Sequence, residues 1–187
     1  MRNTELRFRS EQADQVSEQL YYDLRGQYDS YREYKLSHSV SRSRYRTLLT
    51  RILEYRIPYG VQTLAYRSDG AILLVHHDEV NQWVLPGGQP TSRQEPLKKT
   101  AKRELQEEAD ITGEYEGLAL LFQVRISHGQ HQAQGILPVF RAVAASTDCH
   151  ADDPDDEITA AKWFYSLPEN TRDREYIQAY QQGLLGT

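Results

Sequence analysis

Apolar positions along the chain change their spacing near residue 59. Residues 11 to about 56 contain no Pro and no strand-like alternation, and Tyr45, Leu48, Leu49, Ile52 and Tyr55 recur at helical intervals, giving one apolar stripe. This segment therefore predicts helix, strongest over 17–24 and 43–55, with Gly26 between two helices and Pro58 closing the segment. From Tyr59 the period shortens. The runs YGVQTLAYR and AILLVHH are short and β-rich, and Ser68-Asp69-Gly70 between them predicts a hairpin turn. Residues 83–85 form a third extended piece running into Pro86-Gly87-Gly88. A helix follows from about 96 to 109, with Pro96 at the tolerated first position. YEGLALLFQVRI and GILPVFRAVAA are two further strands joined by a polar loop over 127–135. AAKWFYSL is a last strand, and 172–184 a closing helix with Ile177, Tyr180 and Leu184 on one side. Strands paired mostly by hairpins, with helices interspersed, predict a layered mixed α/β domain over 58–187, preceded by a helical extension over 1–57.

Composition narrows the setting. A chain of 187 residues holds one ordinary domain plus an appendage. No apolar run approaches the roughly 20 residues of a membrane span, and the first ten residues are too polar for a secretory signal, so the expected location is the cytoplasm. Cys149 stands alone, which excludes an internal disulfide and agrees with a reducing compartment. The net charge of −5 is unevenly spread: 11 Lys and Arg against 8 Asp and Glu up to Tyr59, then 11 against 19. An acidic domain handling polyphosphate needs metal ions to offset repulsion. The basic residues of the front end are interleaved with acids, which favours a solvated helical surface over a nucleic-acid interface. Eight of the 13 Tyr precede residue 60, and core packing or a homodimer contact through the N-terminal helices accounts for them.

The stretch LPGGQPTSRQEPLKKTAKRELQEEADI raises the chemical question. At about 100° per helical residue, Glu104, Glu107 and Glu108 share one strip, while Leu97, Ala101 and Leu105 share another face that suits packing on a sheet. Clustered carboxylates repel by some tenths of a kcal/mol per adjacent pair unless something positive sits over them. Arg103 is close enough to orient Glu107. Hard divalent cations want oxygen ligands and tolerate several waters, so the strip suits Mg²⁺.

The same residues carry a family resemblance. Glu95, seven intervening residues, then Arg103-Glu104-Leu105-Gln106-Glu107-Glu108-Ala109 with Ile111 in the last aliphatic place, preceded by WVLPGG, resemble the Nudix box G-x5-E-x7-R-E-U-x-E-E-x-G-U. Two departures stand out. Six residues separate Gly88 from Glu95 where the box has five, which reads as one extra residue in the loop 89–94, although the other register places Gln94 in the glutamate position. Asp110 replaces the helix-ending Gly, at a cost of order 1 kcal/mol for its left-handed conformation.

The resemblance implies a Nudix-type α/β/α sandwich with a mixed sheet, and a hydrolase cleaving a nucleoside diphosphate linked to another group with Mg²⁺ or Mn²⁺. It implies that Glu104, Glu107 and Glu108 hold metal, with the Gly88 carbonyl completing the shell and Arg103 orienting the glutamates. The general base is a box glutamate or Glu157, in DDEITAAKW. His128 and His131, in the polar loop, are candidates for substrate contact. ADP-ribose or a nucleotide sugar is the favoured substrate type, on the ground that the helical extension looks like those of some ADP-ribose-type members. The alternatives are a nucleoside triphosphate sanitiser and a non-catalytic binding or regulatory module.

Overall fold

The computed structural model describes residues 3–151, 154 and 156–185. Twelve elements follow one another: α1 (Asn3–Gln27), β1 (Arg32–Ser39), α2 (Arg42–Tyr55), β2 (Val61–Tyr66), β3 (Ile72–His77), β4 (Gln82–Val84), β5 (Gly87–Gly88), α3 (Leu97–Ala109), β6 (Gly113–His128), β7 (His131–Ala144), β8 (Ile158–Phe164) and α4 (Arg174–Leu185). The strands form one mixed sheet in the order β1-β6-β7-β2-β3-β4, with β5 paired to β2 and β8 to β3. β6 and β7 are antiparallel, whereas β1 joins β6 and β2 joins β7 in parallel.

Alternation along β3 shows why this sheet has helices on both faces. Ile72 and Leu74 enter a core that includes Leu120 and Phe122 of β6 and Ile177 and Tyr180 of α4. Leu73 and Val75 enter another with Leu105 and Ala109 of α3 and Ile158 of β8. All four are fully buried, so the strand is a continuous apolar run, as sheets covered on both sides require. The α/β/α sandwich is thus the arrangement observed. The polar anchors are equally specific. Gln181 of α4 donates through Nε2 to the carbonyls of Gly70 and Phe164, at 2.9 and 3.1 Å.

The N-terminal segment departs from continuous helix. α1 runs through Gly26 without a break. Residues 32–39 then form β1, pairing with β6 from Arg32↔Leu120 to Ser39↔Ser127. Only Tyr34 and Leu36 within β1 are half-buried, so the alternation is two residues deep. Such an edge strand is stabilised by a partner more than 80 positions away, and its own pattern carries little signal. The stripe Tyr45, Leu48, Leu49 and Ile52 is buried in the chain's own core, and the Tyr45 hydroxyl shares a 2.8 Å hydrogen bond with Ser10 of α1.

A second difference lies at 127–135. In place of a long loop, β6 and β7 continue to a two-residue turn between His128 and His131, with Gly129 at φ 56°. The polar residues there are accommodated by α1: the Asp14 carboxylate accepts from the Gln134 N–H at 2.6 Å, and the Ser17 hydroxyl donates to the Gln134 carbonyl at 2.7 Å.

α3 begins one residue later than expected, with Pro96 in an extended conformation at its N-cap, and ends on Asp110 at φ 53°, ψ 35°. The left-handed Asp110 donates its N–H to the Gln106 carbonyl at 3.0 Å and accepts from the Gln106 side chain. Asp tolerates this conformation through such local bonding, whereas Ala does not. Asp110→Ala is therefore expected to destabilise the protein by about 1 kcal/mol relative to Asp110→Gly, read as a difference in urea midpoints at equal m-value.

Candidate active site

Helix α3 is held by its apolar face and one polar pin. Ala101, Leu105 and Ala109 are buried. Thr63 of β2 bonds the Ala101 carbonyl at 3.4 Å and the Tyr115 hydroxyl at 2.7 Å. Burial pushes the Tyr115 hydroxyl up to about 12, despite the Thr63 hydrogen bond, so it stays neutral. With that face fixed inward, Arg103, Glu104, Glu107 and Glu108 are presented at the sheet's rim.

Arg103 is the centre of the charge arrangement. Its Nη1 donates to Glu104 at 2.7 Å and to Glu107 at 2.9 Å, its Nε to Glu95 at 3.4 Å, and its Nη2 to the Gln89 carbonyl at 2.9 Å. Glu95 also accepts from the Thr91 N–H at 2.7 Å and the Thr91 hydroxyl at 3.1 Å. Burial pushes the Glu95 carboxyl up, but the Thr91 N–H, Arg103 and the Thr91 hydroxyl outweigh it and hold it at about 2. It is therefore ionised at any working pH. The structure thus puts Glu95 in the network, whereas Gln94 is exposed.

The Pro-Gly-Gly turn fits against this cluster for a reason the sequence alone does not show. Gly87 and Gly88 do not adopt positive φ; they are needed for close approach. β5 pairs Val61↔Gly88 and Gln62↔Gly87. A Cβ on Gly87 would strike the Val61 carbonyl, and one on Gly88 would strike the Glu104 carboxylate. The Gly87 N–H donates to Glu108 Oε2 at 2.9 Å.

A cleft of about 560 Å³ opens beside these groups, within the range of small-ligand sites, lined in part by Gly87, Gly88, Gln89, Glu108, His77 and Glu157. The strand pairing of β8 with β3 brings Glu157 in: its carbonyl accepts from the Asp78 N–H at 3.0 Å, and its carboxylate lies 3.5 Å from His77 Nε2. Asp156 is described alongside it; Asp152, Asp153 and Asp155 of the acidic run lie outside the described residues. His77, which the sequence suggested only as the end of a strand, is half-buried beside Glu157, with Nδ1 buried and without a partner among the described residues.

Glu104, Glu107 and Glu108 are brought together with Gly88, though only Glu108 among the three lines the cleft. His128 and His131 are placed elsewhere. Their rings lie 6.4 and 6.5 Å from the Tyr45 ring, and His128 Nδ1 is 3.1 Å from the Val40 carbonyl. The hairpin turn carries them against the start of α2, and neither lines the cleft.

Donor chemistry allows a test of fit for a divalent cation. Among the described residues, no three His, Cys, Asp or Glu side chains form a ready-made cage. The available donors are nevertheless all hard oxygens, and Gly88 leaves space against Glu104 that any side chain would fill. Glu95, Glu104 and Glu107 share one guanidinium, that of Arg103, while Glu95 also accepts from Thr91 and Glu108 from the Gly87 N–H. This set fits Mg²⁺ or Mn²⁺ by its excess negative charge and oxygen character. No helix among the described residues is long and apolar enough to cross a membrane.

Comparison with known proteins agrees with this arrangement. The NUDIX domain model matches residues 57–179, well over half the chain. A MutT NUDIX hydrolase from Burkholderia pseudomallei is 27% identical with a TM-score of 0.50, the match covering 66% of this chain and 94% of that one. The NUDIX domain of Shewanella oneidensis NrtR, solved as a complex with ADP ribose, is 17% identical with a TM-score of 0.53, over 67% and 86% of the two chains. The MutT protein from Bacillus halodurans is 20% identical with a TM-score of 0.52, over 67% and 80%. No match was found among curated proteins. With the box spacing, the glycine turn against Glu104 and the matching domain all on one scaffold, the chain belongs to the NUDIX family of hydrolases.

Proposed function

We propose that the protein is a divalent-metal-dependent pyrophosphohydrolase that cleaves a nucleoside diphosphate linked to a second moiety. The observation that carries this reading is that Glu108, the Gly87-Gly88 backbone and Glu157 border one cleft, next to carboxylates gathered by Arg103. Glu104, Glu107 and Glu108, with the Gly88 carbonyl, would hold Mg²⁺ or Mn²⁺. When bound, the cation offsets the diphosphate charge, polarises the attacked phosphorus and lowers the pKa of water.

The remaining roles fall to residues of the chain. Arg103 orients Glu104 and Glu107 through the bonds described above and also holds Glu95, which in turn fixes the loop at Thr91. Glu157, exposed and at the cleft, accepts the proton of the attacking water on a carboxylate oxygen, and His77 beside it stabilises that orientation. The water oxygen bonds to phosphorus as the bridging P–O bond breaks, and the leaving phosphate takes the electron pair. ADP-ribose stands first among candidate substrates because a chain of the same fold is solved with it; nucleotide sugars stand next, sharing the same diphosphate linkage.

The direct assay is Mg²⁺- and Mn²⁺-dependent hydrolysis of a panel of nucleoside diphosphate derivatives and nucleoside triphosphates, with products identified. Glu108→Gln is expected to reduce kcat by about 10²-fold or more; turnover that ignores both chelation and this substitution sinks the reading. Glu157→Gln is expected to cost about 10²–10⁴-fold in kcat. If turnover survives that substitution, a box glutamate is the base. Gly88→Ala pushes a methyl group into the Glu104 carboxylate, and is expected to lower kcat/KM on the order of 10²-fold, measured under the same conditions.

A further inference from the structure

Part of the cleft lining has no role in the reaction described. Arg44 and Arg51 of α2 and Arg172, just before α4, border the same cleft as Glu108. Arg44 and Arg51 are seven residues apart, so they occupy one side of α2, roughly 10 Å apart along its axis. Neither forms a salt bridge among the described residues. Arg172 bonds the neutral Gln82 side-chain oxygen at 3.2 and 3.3 Å. The lining also holds the carboxylates Glu79 and Asp173, and Asp173 interacts with Arg172 and with His38.

Tyr59 is enclosed by these groups. The Arg44 guanidinium lies 5.9 Å from its ring centre. The His38 ring meets it edge-on at 5.7 Å, and His38 Nδ1 is 2.9 Å from its hydroxyl. Burial pushes the Tyr59 hydroxyl up against the pull of Arg44, Arg172 and Arg51, so the phenol stays neutral and does not cancel the arginines. Its ring is engaged by a guanidinium and an imidazole, which leaves positive charge, more than an open aromatic face, as what this wall offers. Arg51 and Gln89 also border an adjoining groove of about 670 Å³ that carries Arg9 and Arg46 together with a single acid, Glu54.

We propose that Arg44, Arg51 and Arg172 form an anion subsite that receives a second phosphate group carried on the distal end of the substrate, beyond the diphosphate cleaved at the glutamates. Guanidinium groups bind phosphate oxygens through charge-assisted, often bidentate hydrogen bonds. The subsite therefore favours a nucleoside diphosphate derivative whose other end is phosphorylated over the same compound without that phosphate. This inference rests on the catalytic reading of the cleft for its substrate, but the anion binding itself does not need turnover.

Calorimetric titration of inorganic tripolyphosphate into the full chain in EDTA separates the two. Saturable binding is expected that weakens about tenfold or more in R44Q/R51Q, is retained in R44K/R51K, and is equal or tighter in Glu108→Gln. In the kinetic arm, the ratio of kcat/KM for ADP-ribose phosphorylated on its distal ribose to that for ADP-ribose is expected to exceed one, and to fall towards one in R44Q/R51Q. Equal tripolyphosphate affinity in native protein and R44Q/R51Q overturns the subsite, as does loss of binding in R44K/R51K or a native ratio of one. If neither nucleotide is hydrolysed the catalytic reading fails, while the titration still decides the subsite.

Discussion

Electrostatic repulsion among Glu95, Glu104, Glu107 and Glu108 is the constraint around which the site is organised. Arg103 answers it with one planar group whose donors reach three of these carboxylates and the Gln89 carbonyl at once. A lysine presents a compact ammonium and cannot spread its donors in that way. Because Arg103 is only partly exposed, its contacts are screened less than those of a surface pair. Its guanidinium is held charged, since the carboxylate partners outweigh the effect of desolvation. The same group ties the loop 89–95 to α3, so electrostatics and backbone placement are one problem here, solved by one side chain.

The sheet supplies the rest of the site by bringing distant segments to a common rim. β5 seats the glycines against β2, the pairing of β8 with β3 holds the preceding Glu157 beside Asp78, and α2 follows β1 to the same cleft. The N-terminal segment is consequently part of the cleft's wall as well as part of the sheet. Its tyrosines serve mainly as packing: Tyr34 stacks on Phe122 and lies against Tyr176, and Tyr45 is fully buried.

What was legible in the sequence was what local spacing encodes. The repeat of Leu97, Ala101 and Leu105 places α3's buried face, and Arg103 at one and four residues from Glu104 and Glu107 anticipates its bonds. The Ser68-Asp69-Gly70 turn and the strand around Trp163 follow from residue type and period. β1 did not show, because eight residues with two inward side chains acquire their structure from β6. The glycines of the turn are plain in the sequence, but the steric demand on them is not, because it comes from Val61 and Glu104, which are adjacent to them only in space. The histidines at 128 and 131 read as loop residues because glutamines surround them, while the hydrogen bonds that make that stretch a hairpin come partly from α1. Arg44 and Arg51 looked like surface charge on an amphipathic helix, and only the topology turns them towards Glu108's cleft.

The parallel pairing of β1 with β6 has a consequence for synthesis. At roughly 5–20 residues per second, the interval between completing Ser39 and supplying its partner Ser127 is on the order of 4–18 s. Through that delay the nascent chain carries the apolar stripe of α2 and the unpaired edge of residues 32–39 without the surface that later covers them. Arg44 and Arg51 are thus made well before Glu108 and Arg172, with which they share the cleft, and that delay is when the apolar stripe beside them has most need of a chaperone's cover.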